Sequence, residues 1–176
     1  MSAPIIPYDY KGQAVRFNTD GWLNATQIAE RFGKRLDRWF ENTDTLEYIR
    51  ALDEFLTGEK SKILHTRNSG YVKTSKARAD RGGGTWLHPK LAMTFARWCD
   101  AKFSVWCDMC IDGLLNTDPA TRQKYGQACQ LLDDRRSEAS QGGSLLANWR
   151  WSRPGLEKSI AYWREQLQLP LSLDES

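Results

Sequence analysis

The chain has 176 residues, 40% hydrophobic and 27% charged, with 25 Lys and Arg against 22 Asp and Glu for a formal net charge of +3. That is apolar material for one packed domain with a small appendage, which excludes wholesale disorder, and no apolar run approaches the ~18 residues of a membrane span. The first residues, MSAPIIPYDY, lack the basic and apolar regions of a secretory signal, so the expectation is a cytosolic protein.

In chain order, residues 13–18 (QAVRFN) alternate as a short strand, and Thr19-Asp20-Gly21 is a turn leading into Trp22-Leu23. Asn24 is placed to cap a short helix, ATQIAERF, which stops at Gly33. A second brief helical turn follows in KRLDRWFEN. Asp44 or Thr45 can cap a longer amphipathic helix with Leu46, Ile49, Leu52 and Leu56 on one face and Gly58 at its end. Residues 62–74 read as strand, turn and strand, with the turn at Asn68-Ser-Gly70. Gly82-Gly83-Gly84 reads as a flexible linker, since it lacks the Lys-Ser/Thr of a phosphate-binding P-loop. Thr85-Trp86-Leu87 is a short strand. Pro89 opens a helix with Leu91, Ala92, Phe95, Ala96 and Trp98 inward, and residues 101–116 form another with Phe103, Trp106, Cys110 and Leu114 in register. Mixed helices and hairpins without βαβ alternation predict an α+β fold.

Asp118-Pro119 marks a fresh helix start and a domain boundary, giving residues 8–116 as one domain and 117–176 as a helical C-terminal extension. Gly142-Gly143 interrupts that extension. Arg153-Pro154 starts a last helix with Leu156, Ile160, Trp163 and Leu167 on one face. Such a stripe cannot stay helical alone. It lies on the N-terminal domain, on the other tail helix, or on a second copy, and the last option would make the protein a homodimer.

Charge is unevenly placed. Residues 60–81 hold seven basic side chains against Asp80 alone, while residues 117–176 carry eight of each sign. A concentrated positive stretch beside a near-neutral body is the electrostatic footprint of a phosphate-backbone binder, although basic loops are often only solvated surface. Cys107 and Cys110 form a CxxC, but no second ligand pair follows at zinc spacing, and the two fall on an apolar helical face where cysteine packs as a small hydrophobe. No metal or cofactor is expected. The chain also holds eight tryptophans, at 22, 39, 86, 98, 106, 149, 151 and 163.

Three segments stand in a fixed order: GWLNATQIAERFGK (21–34), LDRWFENTDTLEYIRAL (36–52) and GGGTWLHPKLAMTFARWCDAKFSVWCDMCI (82–111). Together they resemble the KilA-N domain of bacteriophage and large DNA-virus proteins, over about residues 8–116. The resemblance implies binding to double-stranded DNA by a compact fold similar to fungal APSES domains and to winged helix-turn-helix proteins. The helix from Asn24 and the turn after it would form the helix-turn-helix-like face, and the hairpin at 62–74 the wing. On that view the protein is a non-enzymatic regulator of phage or prophage type, acting in the cytoplasm of a bacterial host. Lys62, Arg67, Lys73, Lys76, Arg78 and Arg81 would neutralise phosphates, as would Lys34, Arg35 and Arg38. Thr26, Gln27 and Arg31 would approach base edges. Asn24 is a helix cap in preference to a base contact.

Two alternatives belong to other classes. A small metal-dependent nuclease would use Asp108, Asp112 or His88, although His88 beside Pro89 reads better as a structural group and the two aspartates as a solvated face. A protein–protein module would use the C-terminal tail, where Trp149, Trp151 and Trp163 fall outside the resemblance.

Overall fold

The computed structural model describes residues 3–140 and 143–167. In chain order these form β1 (Ile5–Tyr10), β2 (Gln13–Asn18), β3 (Leu23–Asn24), α1 (Ala25–Arg31), α2 (Leu36–Glu41), α3 (Thr43–Thr57), β4 (Val72–Ser75), β5 (Gly84–Leu87), α4 (Pro89–Cys99), α5 (Ala101–Asn116), α6 (Pro119–Ala139) and α7 (Gly143–Gln166). The class is α+β, with a helical C-terminal region. The chain divides into two compact units, one of residues 22–108 and one of residues 1–21 with 109–176.

The unit of residues 22–108 is built on three antiparallel strands in the order β3-β5-β4, with Asn24 opposite Trp86 and Trp86 opposite Lys73. Leu23, Ile28, Trp39, Ile49, Leu87, Leu91, Phe95 and Phe103 are buried. The Trp39 ring meets Phe95 edge-on at 5.2 Å. Each such side chain contributes roughly 1.5–3 kcal/mol of transfer free energy on burial. Trp22, Trp39, Trp86 and Trp106 are all buried and Trp98 is half-buried, so these five rings are core material. α3 ends at Gly58, whose φ of 72° closes the helix in the left-handed conformation. Its cap is Asn42, which accepts from the Asp44 amide at 3.1 Å, so Asp44 and Thr45 lie inside the helix. The apolar stripe of α3 fades toward that end: Leu56 is exposed, and so is its neighbour Phe55.

The reading of residues 62–74 as a hairpin is corrected. Residues 62–67 form no strand. The Arg50 Nε donates to the Ile63 carbonyl at 2.8 Å and the buried Thr66 hydroxyl donates to the Phe40 carbonyl at 3.0 Å. The segment is thereby tied to α3 and α2 and ends in a 3-10 turn, Thr66–Asn68. β4 pairs instead with β5, so the hairpin runs from Val72 to Leu87 around the loop 76–83.

In the unit of residues 1–21 and 109–176, β1 and β2 form a hairpin from Ile5 opposite Asn18 to Tyr10 opposite Gln13. Its two-residue turn, Lys11-Gly12, has φ of 53° and 75°, the geometry that favours glycine at the second place. α6 lies against β1, and α7 against α6. Gly126 of α6 permits close approach, because a Cβ there would lie 2.7 Å from Pro4 and 2.9 Å from Thr19. Tyr8 stacks on Tyr125 at 6.5 Å, and Cys110, Ile111, Leu114 and Cys129 complete the buried set. Asp118 caps α6 by accepting from the Thr121 amide at 3.0 Å. The last helix does not begin at Arg153-Pro154: α7 starts at Gly143 and carries Pro154 within it. Gly142 lies outside the described residues. Trp163 is half-buried with Lys124 Nζ 5.2 Å from its ring centre, Trp149 is half-buried, and Trp151 is 88% exposed.

Candidate nucleic-acid interface

The basic loop between β4 and β5 owes its position to the residues behind it. Gly82 and Gly84 have φ of 83° and 120°. The Asn24 side-chain amide donates to the Gly83 carbonyl at 3.0 Å, the Thr85 amide donates to the Thr26 hydroxyl at 2.9 Å, and the Trp86 indole donates to the Gly82 carbonyl at 2.9 Å. A Cβ on Gly83 would sit 1.9 Å from the Ala77 carbonyl oxygen. The glycine run is therefore a tightly packed crossing, not a flexible linker. Asn24 precedes α1 as expected, but its side chain makes no cap bond; it is 1% exposed and holds the loop. The Asn-Ala-Thr and Gly-Gly-Gly-Thr-Trp segments are the two halves of one lock.

That lock presents Lys76, Arg78 and Arg81 on an exposed loop. The 3-10 turn at 66–68 touches both α2 and β4, so it joins the arginines of α2 to the lysine of β4. Arg35, Arg38, Arg67 and Lys73 on these elements are all exposed, and Lys62 is exposed on the segment leading in. Lys73 holds its Nζ 3.9 Å from the centre of the Trp22 ring. Arg67 lies over the Phe40 ring at 4.5 Å and pairs with Asp37, and Arg35 Nη2 is 3.9 Å from the same carboxylate. Beside them opens a cleft of about 540 Å³ whose lining includes Arg35, Asp37, Phe40, Glu41, His65 and Arg67.

The other sequence candidates are placed differently. α1 packs on β5, α2 and α4 with Ala25, Ile28 and Ala29 buried, and its Thr26, Gln27 and Arg31 are half-buried. Thr26 is engaged by Thr85. Lys34 Nζ donates to the Trp98 carbonyl and lies 4.6 Å from the Trp98 ring centre, tying the end of α1 to α4. The fork of arginines on Asp37 and the use of Asn24 as a loop clamp were not legible in the sequence; an acid flanked by the candidate arginines Arg35 and Arg38 was the only available signal for the former.

His88 caps α4, its Nδ1 accepting from the Lys90 amide at 3.3 Å, between the rings of Trp22 and Tyr71. Burial, with Lys90 and Lys73 nearby, holds its imidazole below the ordinary value of 6.5, so it serves as a neutral cap. Asp108 pairs with Arg97 at 3.5 Å. All four cysteines are buried and none is in a disulfide; burial pushes the Cys99 and Cys110 thiols up to about 12 and Cys129 to about 11. Among the described residues, no group of three or more His, Cys, Asp or Glu is placed to hold a metal ion, and no helix is long and apolar enough to cross a membrane.

The motifs and the α+β fold point to one class of domain, and comparison with known families bears this out. Residues 6–117 match the KilA-N domain, and the chain belongs to that family, whose members commonly bind DNA. Residues 120–172 match the ORF11CD3 domain. A protein of Acanthamoeba polyphaga mimivirus described as KilA-N domain-containing, L4, is 28% identical over 86 residues, 49% of this chain. The match spans 17% of that relative's length. No solved structure matches the chain.

Proposed function

We propose that the protein is a non-catalytic regulator of phage or prophage type that binds double-stranded DNA in the cytoplasm of a bacterial host. The observation that carries this is the set of exposed basic side chains on α2, the turn at 66–68 that touches both α2 and β4, β4 itself and the loop 76–81, a loop supported from behind by the Asn24–Gly83 lock. On this reading the β4–β5 hairpin is a wing. Arg35, Arg38, Lys62, Arg67, Lys73, Lys76, Arg78 and Arg81 contact phosphates. Gln27 and Arg31 approach base edges from α1. Thr26 and Lys34 support the site through their bonds to Thr85 and Trp98. The test is competition: a labelled duplex bound to the protein should be displaced by unlabelled duplex far more effectively than by single strands of the same length. Equal displacement by both contradicts the duplex reading, and Mg²⁺-dependent plasmid cleavage lost in Asp108→Ala would replace it with the nuclease.

One observation favours a second activity for residues 117–176. Trp151 and Tyr162 of α7, about three turns apart on the same side of the helix, are exposed, which suits assembly or a protein partner. Sedimentation of the full chain reads this directly: self-association lost in Trp151→Ser supports a homodimer, and an unchanging monomer leaves only a different partner for this face.

A further inference from the structure

Asp37 is held by arginines from two separate elements. Its Oδ1 accepts from Arg67 Nη2 on the turn after α3, and its Oδ2 lies 3.9 Å from Arg35 Nη2 at the start of α2. The Arg67 guanidinium is steadied over the Phe40 ring at 4.5 Å, so its fork is set in place before any ligand arrives. All three side chains are more than half exposed: 73% for Arg35, 57% for Asp37 and 52% for Arg67. The neighbouring cleft of about 540 Å³ leaves room beside them.

Two guanidiniums converging on the two oxygens of one small anion satisfy the same demand that a phosphodiester makes, because arginine's planar fork matches both carboxylate and phosphate oxygens. An ion pair this exposed is weak, so the carboxylate is readily displaced. A phosphate of a duplex carries in addition the counterion release of the polyelectrolyte, which the carboxylate lacks.

We propose that Arg35 and Arg67 form a two-arginine clamp for one backbone phosphate, and that Asp37 occupies the place of that phosphate in the free protein. This rests on the duplex-binding reading above. Binding exchanges two carboxylate–guanidinium contacts for two phosphate–guanidinium contacts, and Asp37 then faces the phosphate as a like charge. Asp37 thus weakens the complex and hastens release, keeping the protein exchangeable on DNA.

The test uses the full chain, a labelled random-sequence duplex and about 50 mM salt, where phosphate contacts are strong. Asp37→Asn should bind about two- to fivefold tighter than the natural protein, the size expected when a weak exposed competitor is removed. Asp37→Asn should have no such effect in an Arg35→Ala/Arg67→Ala background, because the clamp it guards is gone. Arg67→Lys should weaken binding although it keeps the charge, since lysine cannot fork. Glu41→Gln, which removes a charge from the same cleft without touching the arginines, should gain less than Asp37→Asn. If the natural protein binds the duplex but Asp37→Asn does not tighten it, or Glu41→Gln gains as much, the clamp is overturned while duplex binding stands. If the natural protein binds no duplex, the functional reading itself fails and the clamp with it.

Discussion

Replacing Gly83 by alanine tests whether the basic loop is locked as described. The new Cβ would lie 1.9 Å from the Ala77 carbonyl oxygen, 2.7 Å from its carbon and 2.9 Å from the Arg78 carbonyl oxygen. All three atoms are backbone, so no side chain can swing aside, and the loop must retreat by about 1.5–2 Å to reach ordinary contact. Crowding of this kind costs about 1–3 kcal/mol. The same retreat breaks the buried bond from Asn24 to the Gly83 carbonyl, and a buried polar group left unpaired costs about 1–3 kcal/mol more. The expected loss is therefore about 2–6 kcal/mol, which for a chain of this size lowers Tm by roughly 4–24 °C. Gly70→Ala provides the comparison. Gly70 has φ of 76° but open space around its Cβ position, so only the conformational cost of about 1–2 kcal/mol applies. Thermal unfolding followed by circular dichroism reads both. A Gly83→Ala midpoint no lower than that of Gly70→Ala would refute the lock.

Gly155 lies inside α7 with nothing within 4 Å of its Cβ position, so Gly155→Ala should stabilise by about 0.5–1 kcal/mol, seen as a rise in Tm; a fall would mean the position is in contact. At pH 8 the native protein should react with a thiol reagent at least about 10²-fold more slowly than the unfolded chain, because Cys99, Cys110 and Cys129 are buried with thiols raised to about 11–12; fast labelling of any cysteine contradicts this. His88 titrates lower in the folded state than in the unfolded chain, so the unfolded chain takes up the proton first as pH falls. The stability of the neutral cap is thus fully present above the ordinary value of 6.5 and declines as pH drops below it toward the lowered folded value. Denaturant titrations at pH 7.5 and pH 5.5 should show a smaller acid loss in His88→Asn, which keeps a capping acceptor, than in the natural protein; equal losses would show that His88 does not contribute.

Local signals announced most of the helices because they are self-contained. Pro89 with His88, Asp118 with Pro119, and Gly58 each fix an end through contacts within one turn. Trp39, Trp98 and Trp106 likewise fell on apolar faces set by the helix period, while Trp22 and Trp86 lie at and within short strands. What the sequence hid depends on partners far along the chain. The 62–67 segment has strand-forming residues, yet Arg50 and Phe40 take its hydrogen bonds, and no local pattern announces that. Strand β1 was not read at all, because Pro7 interrupts a pattern that Ile6, Tyr8 and Tyr10 otherwise carry; an edge position tolerates the proline. The positive charge of the candidate interface was plain from composition. Its arrangement was not, since Lys34 and Arg67 differ only in what folding places beside them: a backbone carbonyl for one, a displaceable carboxylate for the other.

If the exposed basic residues meet a duplex backbone as proposed, the salt dependence of duplex affinity measures that meeting directly. Fluorescence anisotropy across a salt series should give a plot of log K against log salt with a slope of about −4 to −7, corresponding to about five to eight phosphates. The triple variant Lys76→Ala/Arg78→Ala/Arg81→Ala should flatten that slope by about 2–3. A slope near zero, or no binding at about 50 mM salt, would contradict the account.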